Sequence, residues 1–116
     1  MDERLGVLAL EYLDLPAKAR PGSTLPVRFK LTDPRTHSPR TGLGDVRLLH
    51  YRAPGLDRTE VAAKEVGGGV YEAKARLGPA GAYYLYVSAP SLKVPYAELP
   101  FRSVLATAPV GEGGRP

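Results

Sequence analysis

The chain of 116 residues is long enough for one domain with a moderate hydrophobic core. It contains no cysteine, which excludes disulfides, thiolate metal sites and cysteine nucleophiles. The formal net charge of +4 would suit binding to nucleic acid or anionic lipid, but the basic residues are spread singly along the chain. We therefore expect no nucleic-acid partner, and a basic nucleic-acid-binding domain is the weakest alternative.

Amino-acid usage bears on the source and the compartment of the protein. Asn, Gln, Trp and Ile are absent and arginine supplies much of the charge, which indicates a thermophilic or GC-rich source. No stretch approaches the roughly 20 consecutive apolar residues that span a bilayer. The first residues lack the basic start of a secretory signal. We expect either a cytosolic protein or a piece of a longer exported one.

Short stretches of alternating apolar and polar residues, separated by Gly and Pro, run along most of the chain. Successive side chains of a strand point to opposite faces, so a period of two predicts a half-buried strand. The clearest case is the alternation of Leu25, Val27, Phe29 and Leu31 with mostly polar residues. We predict seven strands, at residues 6–15 (with a helix as the alternative), 25–32, 46–51, 58–66, 70–77, 83–89 and 101–107.

The segments between these strands differ in kind. Residues 17–23 are predicted to form a turn, and residues 33–44 a long polar loop that is either functional or loosely ordered. Residues 90–100, which are rich in proline, form a crossover. Residues 108–116 have almost nothing to bury and are predicted to be a flexible tail, which leaves residues 1–107 as the folded domain.

Seven short strands with regularly spaced turn signals predict an all-β fold, an immunoglobulin-like antiparallel β-sandwich. Its central hairpin comprises residues 70–77 and 83–89. In such sandwiches a tyrosine near the start of the sixth strand bonds to the backbone of the preceding corner. Tyr83 has that position. The disulfide and core tryptophan of antibody domains are missing, so the domain is predicted to be immunoglobulin-like only.

Candidate catalytic and metal-binding residues are few. His37 lies in the polar loop and His50 at a strand end, and neither has the closely spaced partners that a metal site needs. No Gly-x-Ser-x-Gly motif is present, and the glycine clusters 42–44 and 67–69 precede strands rather than the helix that follows a phosphate-binding loop. We predict no catalytic residue, no metal site and no cofactor, with His37 in solvent and His50 at a sheet rim.

Tyrosine, with seven residues, is the remaining functional signal. Tyr84 and Tyr86 are predicted to point away from the core row of Tyr83, Leu85 and Val87. If the outer face is open, it carries an aromatic patch able to bind a partner. Alternatively, a neighbouring strand or a loop covers these rings. The possible interaction surface comprises Tyr84, Tyr86, Arg35, His37 and Arg40.

Three passages, residues 20–34, 68–72 and 81–92, carry a family resemblance. They share the frame Pro-Gly…Val-x-Phe-x-Leu-x-Asp…Gly-x-Tyr…Gly-x-Tyr-x-Leu-x-Val. This frame resembles immunoglobulin-like accessory domains of the FixH and YtkA type, and sandwich modules appended to β-propeller proteins related to cytochrome-d-type nitrite reductase. It resembles filamin-type repeats more loosely. The resemblance implies an exported, periplasmic domain that docks onto a neighbour or a respiratory complex, and no functional residue carries over.

These observations favour a non-catalytic accessory module that binds a protein partner or a neighbouring domain of the same polypeptide. The contact could use a sheet face, an edge strand or the loop at residues 33–44. The principal alternative is a small ligand-binding or enzymatic domain that uses the same loop and His37.

Overall fold

The structure, a computed structural model, describes residues 8–107, which form two β-sheets packed face to face. Residues 1–7 and 108–116, with the predicted tail, lie outside the described residues. Two short 3-10 helices, Pro90–Leu92 and Tyr96–Glu98, precede the last strand. The strands are β1 (Ala9–Leu13), β2 (Lys18–Ala19), β3 (Thr24–Thr32), β4 (Arg47–Arg52), β5 (Leu56–Ala62), β6 (Lys64–Gly67), β7 (Val70–Arg76), β8 (Gly81–Ser88) and β9 (Arg102–Ala106).

The first sheet has four antiparallel strands in the order β1-β3-β7-β6. Strand β3 occupies a central position because its alternation is the strongest in the chain: every second residue from Leu25 to Leu31 is buried. Its partner β7 buries Tyr71, Ala73 and Ala75 on the same face. The opposite face carries charged side chains, so this sheet has one buried face and one face exposed to solvent.

The second sheet has five strands in the order β2-β9-β8-β4-β5. Strand β8 lies at its centre, and its inner row of Tyr83, Leu85 and Val87 is almost fully buried. Strand β2 pairs in parallel with β9, whereas the other neighbours in this sheet are antiparallel. The inner rows of the two sheets form one hydrophobic core.

The corner before β8 is closed by a single side chain. The Tyr83 hydroxyl donates a hydrogen bond to the Pro79 carbonyl at 2.7 Å and accepts one from the Gly78 N–H at 3.0 Å. This arrangement confirms the tyrosine corner that the sequence predicted. It fixes the turn at which the chain passes from β7 in the four-stranded sheet to β8 in the five-stranded sheet. The two strands do not pair with each other, so the predicted central hairpin is wrong: each strand pairs within its own sheet.

The chain passes from one sheet to the other at Ala63. Strand β5 belongs to the five-stranded sheet and β6 to the four-stranded sheet, and Ala63 alone separates them. Its N–H donates to the Val46 carbonyl at 2.9 Å, and its side chain is buried. The sequence predicted one uninterrupted strand at residues 58–66, so this division was missed.

The predicted fold class, an immunoglobulin-like β-sandwich, is confirmed, with differences in detail. Residues 9–13 form a strand, so the helix alternative is wrong. The segment predicted as a turn at residues 17–23 contains β2, and the proline-rich crossover contains the two 3-10 helices. Within residues 8–107, no helix has the length and apolar character needed to cross a bilayer.

Candidate interaction surface

Four aromatic rings lie together on the outer face of the five-stranded sheet, and we call them the aromatic strip: Tyr51, Tyr84, Tyr86 and Phe101. Tyr84 and Tyr86 point outward because they alternate with the buried row of β8. Tyr51 of β4 is the direct neighbour of Tyr84 in the sheet register. Phe101 immediately precedes β9 and lies against Tyr84 and Tyr86.

Three of these rings form a stack. The Tyr86 ring lies between Phe101, with ring centroids 5.4 Å apart, and Tyr51, at 5.9 Å, and the interplanar angles are 23° and 18°. Tyr84 meets Tyr51 and Phe101 edge-on, with centroids 5.7 Å away in both cases. Both geometries are favourable for aromatic pairs, so the rings hold one another in place before any partner arrives.

Two hydroxyl groups of the strip are hydrogen-bonded to each other. The Tyr51 and Tyr86 hydroxyls are 3.2 Å apart and share a hydrogen bond. That hydrogen bond, with burial and the nearby Tyr51 and Tyr84 hydroxyls, raises the pKa of Tyr86 above its ordinary value. The strip therefore presents polar hydroxyl groups beside apolar ring edges, a combination that suits contacts that are partly apolar and partly polar.

The strip is open to solvent. Phe101 is 51% exposed, and Leu105, which points outward from the neighbouring β9, is 43% exposed. The rings of Tyr51, Tyr84 and Tyr86 are half-buried. The sequence left open whether Tyr84 and Tyr86 would be covered; they are partly covered by Tyr51 and Phe101, and the four rings together form the exposed surface.

The position of Phe101 is fixed by the residues on either side of it. The Tyr12 hydroxyl donates to the Pro100 carbonyl at 3.0 Å, and the Arg102 guanidinium lies over the Tyr12 ring, 5.2 Å from its centroid. Burial raises the pKa of Tyr12 to about 12, so its hydroxyl stays a donor. Tyr12 belongs to the other sheet, and its contacts clamp the segment that carries Phe101.

The crossover covers the other end of the same sheet face. Ser88, which also points outward from β8, is only 4% exposed. Burial raises the pKa of the Tyr96 hydroxyl, and Ser88 and Glu60 are among the groups close enough to affect it. Tyr96 begins the second 3-10 helix, so this helix lies over the same end of the face. The Ser91 hydroxyl donates to the Asp45 carboxylate at 2.9 Å and anchors the first 3-10 helix. The aromatic strip is the part of this face that the crossover leaves uncovered.

The other predicted surface residues lie elsewhere. Arg35, His37 and Arg40 belong to the loop at residues 33–44, which follows β3 of the four-stranded sheet, so the structure does not bring them together with Tyr84 and Tyr86. The Asp33 carboxylate accepts from the Arg35 N–H at 2.8 Å and lies 3.8 Å from the Arg40 guanidinium. The His37 side chain is exposed.

Further contacts hold this loop against the turn between β6 and β7. The Glu65 carboxylate accepts from the Gly42 N–H at 2.8 Å and from the Gly69 N–H at 3.0 Å, and these two bonds lower the pKa of Glu65. The Tyr71 hydroxyl accepts from the Leu43 N–H and donates to the Arg40 carbonyl. These contacts tie the loop to the four-stranded sheet at Arg40, Gly42 and Leu43.

Comparisons with known proteins support the fold. No protein-family model matches the chain, and no curated protein matches it. Among solved structures, the chain is similar to the filamin domain of Lin-41, with a TM-score of 0.64 and 14% identity over 89% of this chain and 94% of that chain. The fold is immunoglobulin-like. The filamin-type resemblance is thus supported at the level of fold, whereas the resemblance to FixH and YtkA is not confirmed.

Proposed function

We propose that the chain is a non-catalytic protein-interaction module whose contact surface is the aromatic strip. The observation that carries the proposal is the position of Phe101, a large apolar side chain that is 51% exposed and stacked on Tyr86. The cores of protein interfaces are enriched in Tyr and Phe and depleted of charged residues. The strip has this composition.

The strip is prepared for binding by its own packing. Both faces of the Tyr86 ring are already in contact, with Phe101 on one side and Tyr51 on the other. Rings that are held in place lose little side-chain entropy when a partner covers them, so more of the buried apolar area contributes to affinity. The ring edges and hydroxyls that remain free match a partner surface with an apolar centre and a few polar groups.

A sheet face supports the proposal better than an edge strand. Strand β5 is an outer strand of the five-stranded sheet, and it exposes Asp57, Arg58 and Glu60. Charged side chains along an edge oppose the addition of a further strand. The aromatic strip carries no charged side chain, so desolvation on docking costs less there.

The partner in this proposal is a protein surface, either a neighbouring domain of the same polypeptide or a separate protein. The proposal extends to an exported or respiratory-associated parent protein, because the FixH-type frame in the sequence implies one. Fractionation of source cells, with detection of the full-length protein in the periplasmic or exported fraction, tests that extension. Detection only in the cytosol would contradict the proposal of an exported parent protein. It would not affect the proposed contact surface, which is tested separately.

Site-specific photo-crosslinking tests the contact surface. A photoreactive phenylalanine analogue replaces Phe101 in the full-length protein, expressed in its source. The matched control places the analogue at Val66, which is 54% exposed on the other sheet. We expect one defined cross-linked species from position 101 and none from position 66. Tyr86→Ser, combined with the analogue at position 101, should reduce the yield at least about tenfold because it removes the centre of the stack.

Two outcomes would contradict the proposal. One is the same set of cross-linked species from positions 101 and 66, which would indicate chance collisions. The other is an interaction that survives Tyr86→Ser but is lost in a variant with both His37→Ala and Arg40→Ala. That second result would favour the alternative, a ligand-binding or enzymatic domain that uses the loop at residues 33–44.

A further inference from the structure

A buried imidazole lies one strand away from the edge of the five-stranded sheet. His50 points inward from β4, between Leu85 of β8 and Thr59 of β5 in the sheet register, and is 2% exposed. Both ring nitrogens are buried, and neither is hydrogen-bonded to any described residue. Because buried polar groups are nearly always hydrogen-bonded, the ring lies here at a cost to the folded state.

The neighbouring edge strand, β5, is held weakly. Among the described strands it pairs with β4 alone. Six of its seven residues are exposed, and Val61 is half-buried. A cleft of about 360 Å³, which His50 also lines, runs along its inner side at Thr59 and Val61. An edge strand that buries so little apolar surface opens at low cost, and opening at this edge gives the His50 ring a route to water.

The titratable groups around the cleft offer no counter-charge for a protonated ring. They come from three strands: Asp57 of β5, Lys74 and Arg76 of β7, and Tyr83 of β8. The Asp57 carboxylate is already paired with Arg52 at 3.0 Å, and the Tyr83 hydroxyl is bonded to the backbone of the corner. Lys74 and Arg76 alternate with buried alanines, so they point to the outer face of the four-stranded sheet. A proton on the buried ring would therefore be a charge without a partner.

We propose that protonation of His50 releases β5 from β4, so that this edge of the five-stranded sheet opens in mildly acidic solution. The closed edge accommodates only the neutral imidazole, whereas the open edge lets water solvate the imidazolium. The device lies on the inner side of the sheet and makes no use of the aromatic strip. The inference is therefore independent of the proposed function.

The direction of the pH dependence follows from the two states of the ring. Burial lowers the pKa of His50 from its ordinary value of 6.5 while the edge is closed, and the ordinary value returns when the edge is open. The closed edge therefore has its full stability above the ordinary pKa and loses stability as the pH falls towards the lowered pKa. Within that interval, each unit of pH raises the ratio of open to closed molecules by up to about tenfold.

Amide hydrogen exchange of the full chain, followed by NMR at about pH 7.5 and about pH 5.5, tests the proposal; histidine is the side chain whose ordinary pKa lies in this interval. Protection factors, which correct for the pH dependence of exchange in an unstructured chain, report the opening of each strand. We expect those of the β5 amides bonded to β4 to fall about three- to tenfold at the lower pH. Strand β1, an edge strand of the other sheet, is the control and should change by less than about twofold.

Substitution of each histidine identifies the responsible group. His50→Phe and His50→Leu remove the ionisable ring in two shapes, and both should abolish the fall in β5 protection. His37→Asn should leave the fall unchanged, because the His37 side chain is exposed. Asparagine suits that position because it tolerates the positive φ of 63° found there.

Three results would overturn the proposal. One is β5 protection that is the same at both pH values, which would mean that opening of β5 does not bring His50 to water. Another is an equal loss of protection in β1. The third is a fall in β5 protection that persists in His50→Phe and His50→Leu, or that disappears in His37→Asn, because a group other than His50 would then cause it.

Discussion

Tyr83 and Tyr84 are adjacent in the sequence but serve opposite sides of β8. Tyr83 is 1% exposed, and its hydroxyl bridges two backbone groups of the corner. Tyr84 is half-buried on the outer face, where its ring contacts Tyr51 and Phe101, and its hydroxyl has no hydrogen-bond partner among the described residues. The same chemical group thus has a structural role at one residue and only a surface role at the next.

This difference gives a matched pair of substitutions. Tyr83→Phe should lower the free energy of unfolding by about 1–3 kcal/mol, because it leaves the Gly78 N–H and the Pro79 carbonyl without their shared partner. Tyr84→Phe should change it by less than about 0.5 kcal/mol, because no hydrogen bond is lost. Urea denaturation of the two variants checks this. Equal losses would show that the corner does not depend on the hydroxyl.

Only part of the aromatic strip could be predicted from the sequence. The period of two placed Tyr84 and Tyr86 on the outer face. The same alternation in residues 46–51 puts Tyr51 outside, but only the register between β4 and β8 shows that it pairs with Tyr84. Phe101 was missed because its position depends on contacts of Tyr12, which is distant in the sequence. Such pairings are not encoded in local patterns.

At the scale of elements, the loop at residues 33–44 and the turn between β6 and β7 form one unit. The Leu31 N–H donates to the Gly69 carbonyl at 2.9 Å, and the Pro39 side chain packs against Gly69. The Glu65 carboxylate joins the same turn to the loop at Gly42 and Gly69. The length and polarity of the loop predicted its existence, whereas this anchoring depends on residues about 25 to 40 positions away in the chain.

Two neighbouring glycines of this turn allow the cost of backbone strain to be distinguished from the cost of a steric clash. Both have positive φ, +56° for Gly68 and +84° for Gly69, so alanine is strained at either position by about 1 kcal/mol. A Cβ at Gly68 would meet nothing within 4 Å, but at Gly69 it would lie 2.7 Å from the Pro39 Cβ. Gly69→Ala should therefore destabilise the protein by about 1–3 kcal/mol more than Gly68→Ala does.

Chemical denaturation of both glycine variants measures this difference. Hydrogen exchange of the Arg40 N–H, which donates to the Leu31 carbonyl at 2.8 Å, reports whether the loop detaches. We expect faster exchange in Gly69→Ala and little change in Gly68→Ala. Equal destabilisation by the two variants would mean that the loop shifts away from the added methyl group without cost.

The strand boundaries could be predicted from the sequence only where a strand has a clear alternation of buried and exposed residues. The strands with strong alternation, β3, β7 and β8, were predicted within a few residues because each buries a regular row against the core. Strand β2 was missed because two residues cannot show a period, and its pairing with β9 is a contact of distant segments. The break at Ala63 was missed because alternation continues through it while the chain changes sheet.

At the scale of the whole molecule, the two faces of the five-stranded sheet have different roles. The outer face carries the aromatic strip, and the inner face contributes a row of side chains to the core. His50 and Tyr51 are consecutive residues of β4 that point to these two faces. One strand therefore supports both the core and the strip.

Central and edge strands differ in how many neighbouring strands protect their backbone amides. Within residues 8–107, strands β3, β4 and β8 have a hydrogen-bonded neighbour on both sides, whereas β1 and β5 have one. Amides of the central strands should therefore exchange with solvent at rates set by global unfolding, and those of β1 and β5 that face outward should exchange faster through local opening. Hydrogen–deuterium exchange followed by NMR measures both sets in one experiment. If the outward-facing amides of β5 are instead as protected as those of β4, another strand covers this edge in solution, and edge pairing rather than the aromatic strip would account for the interaction.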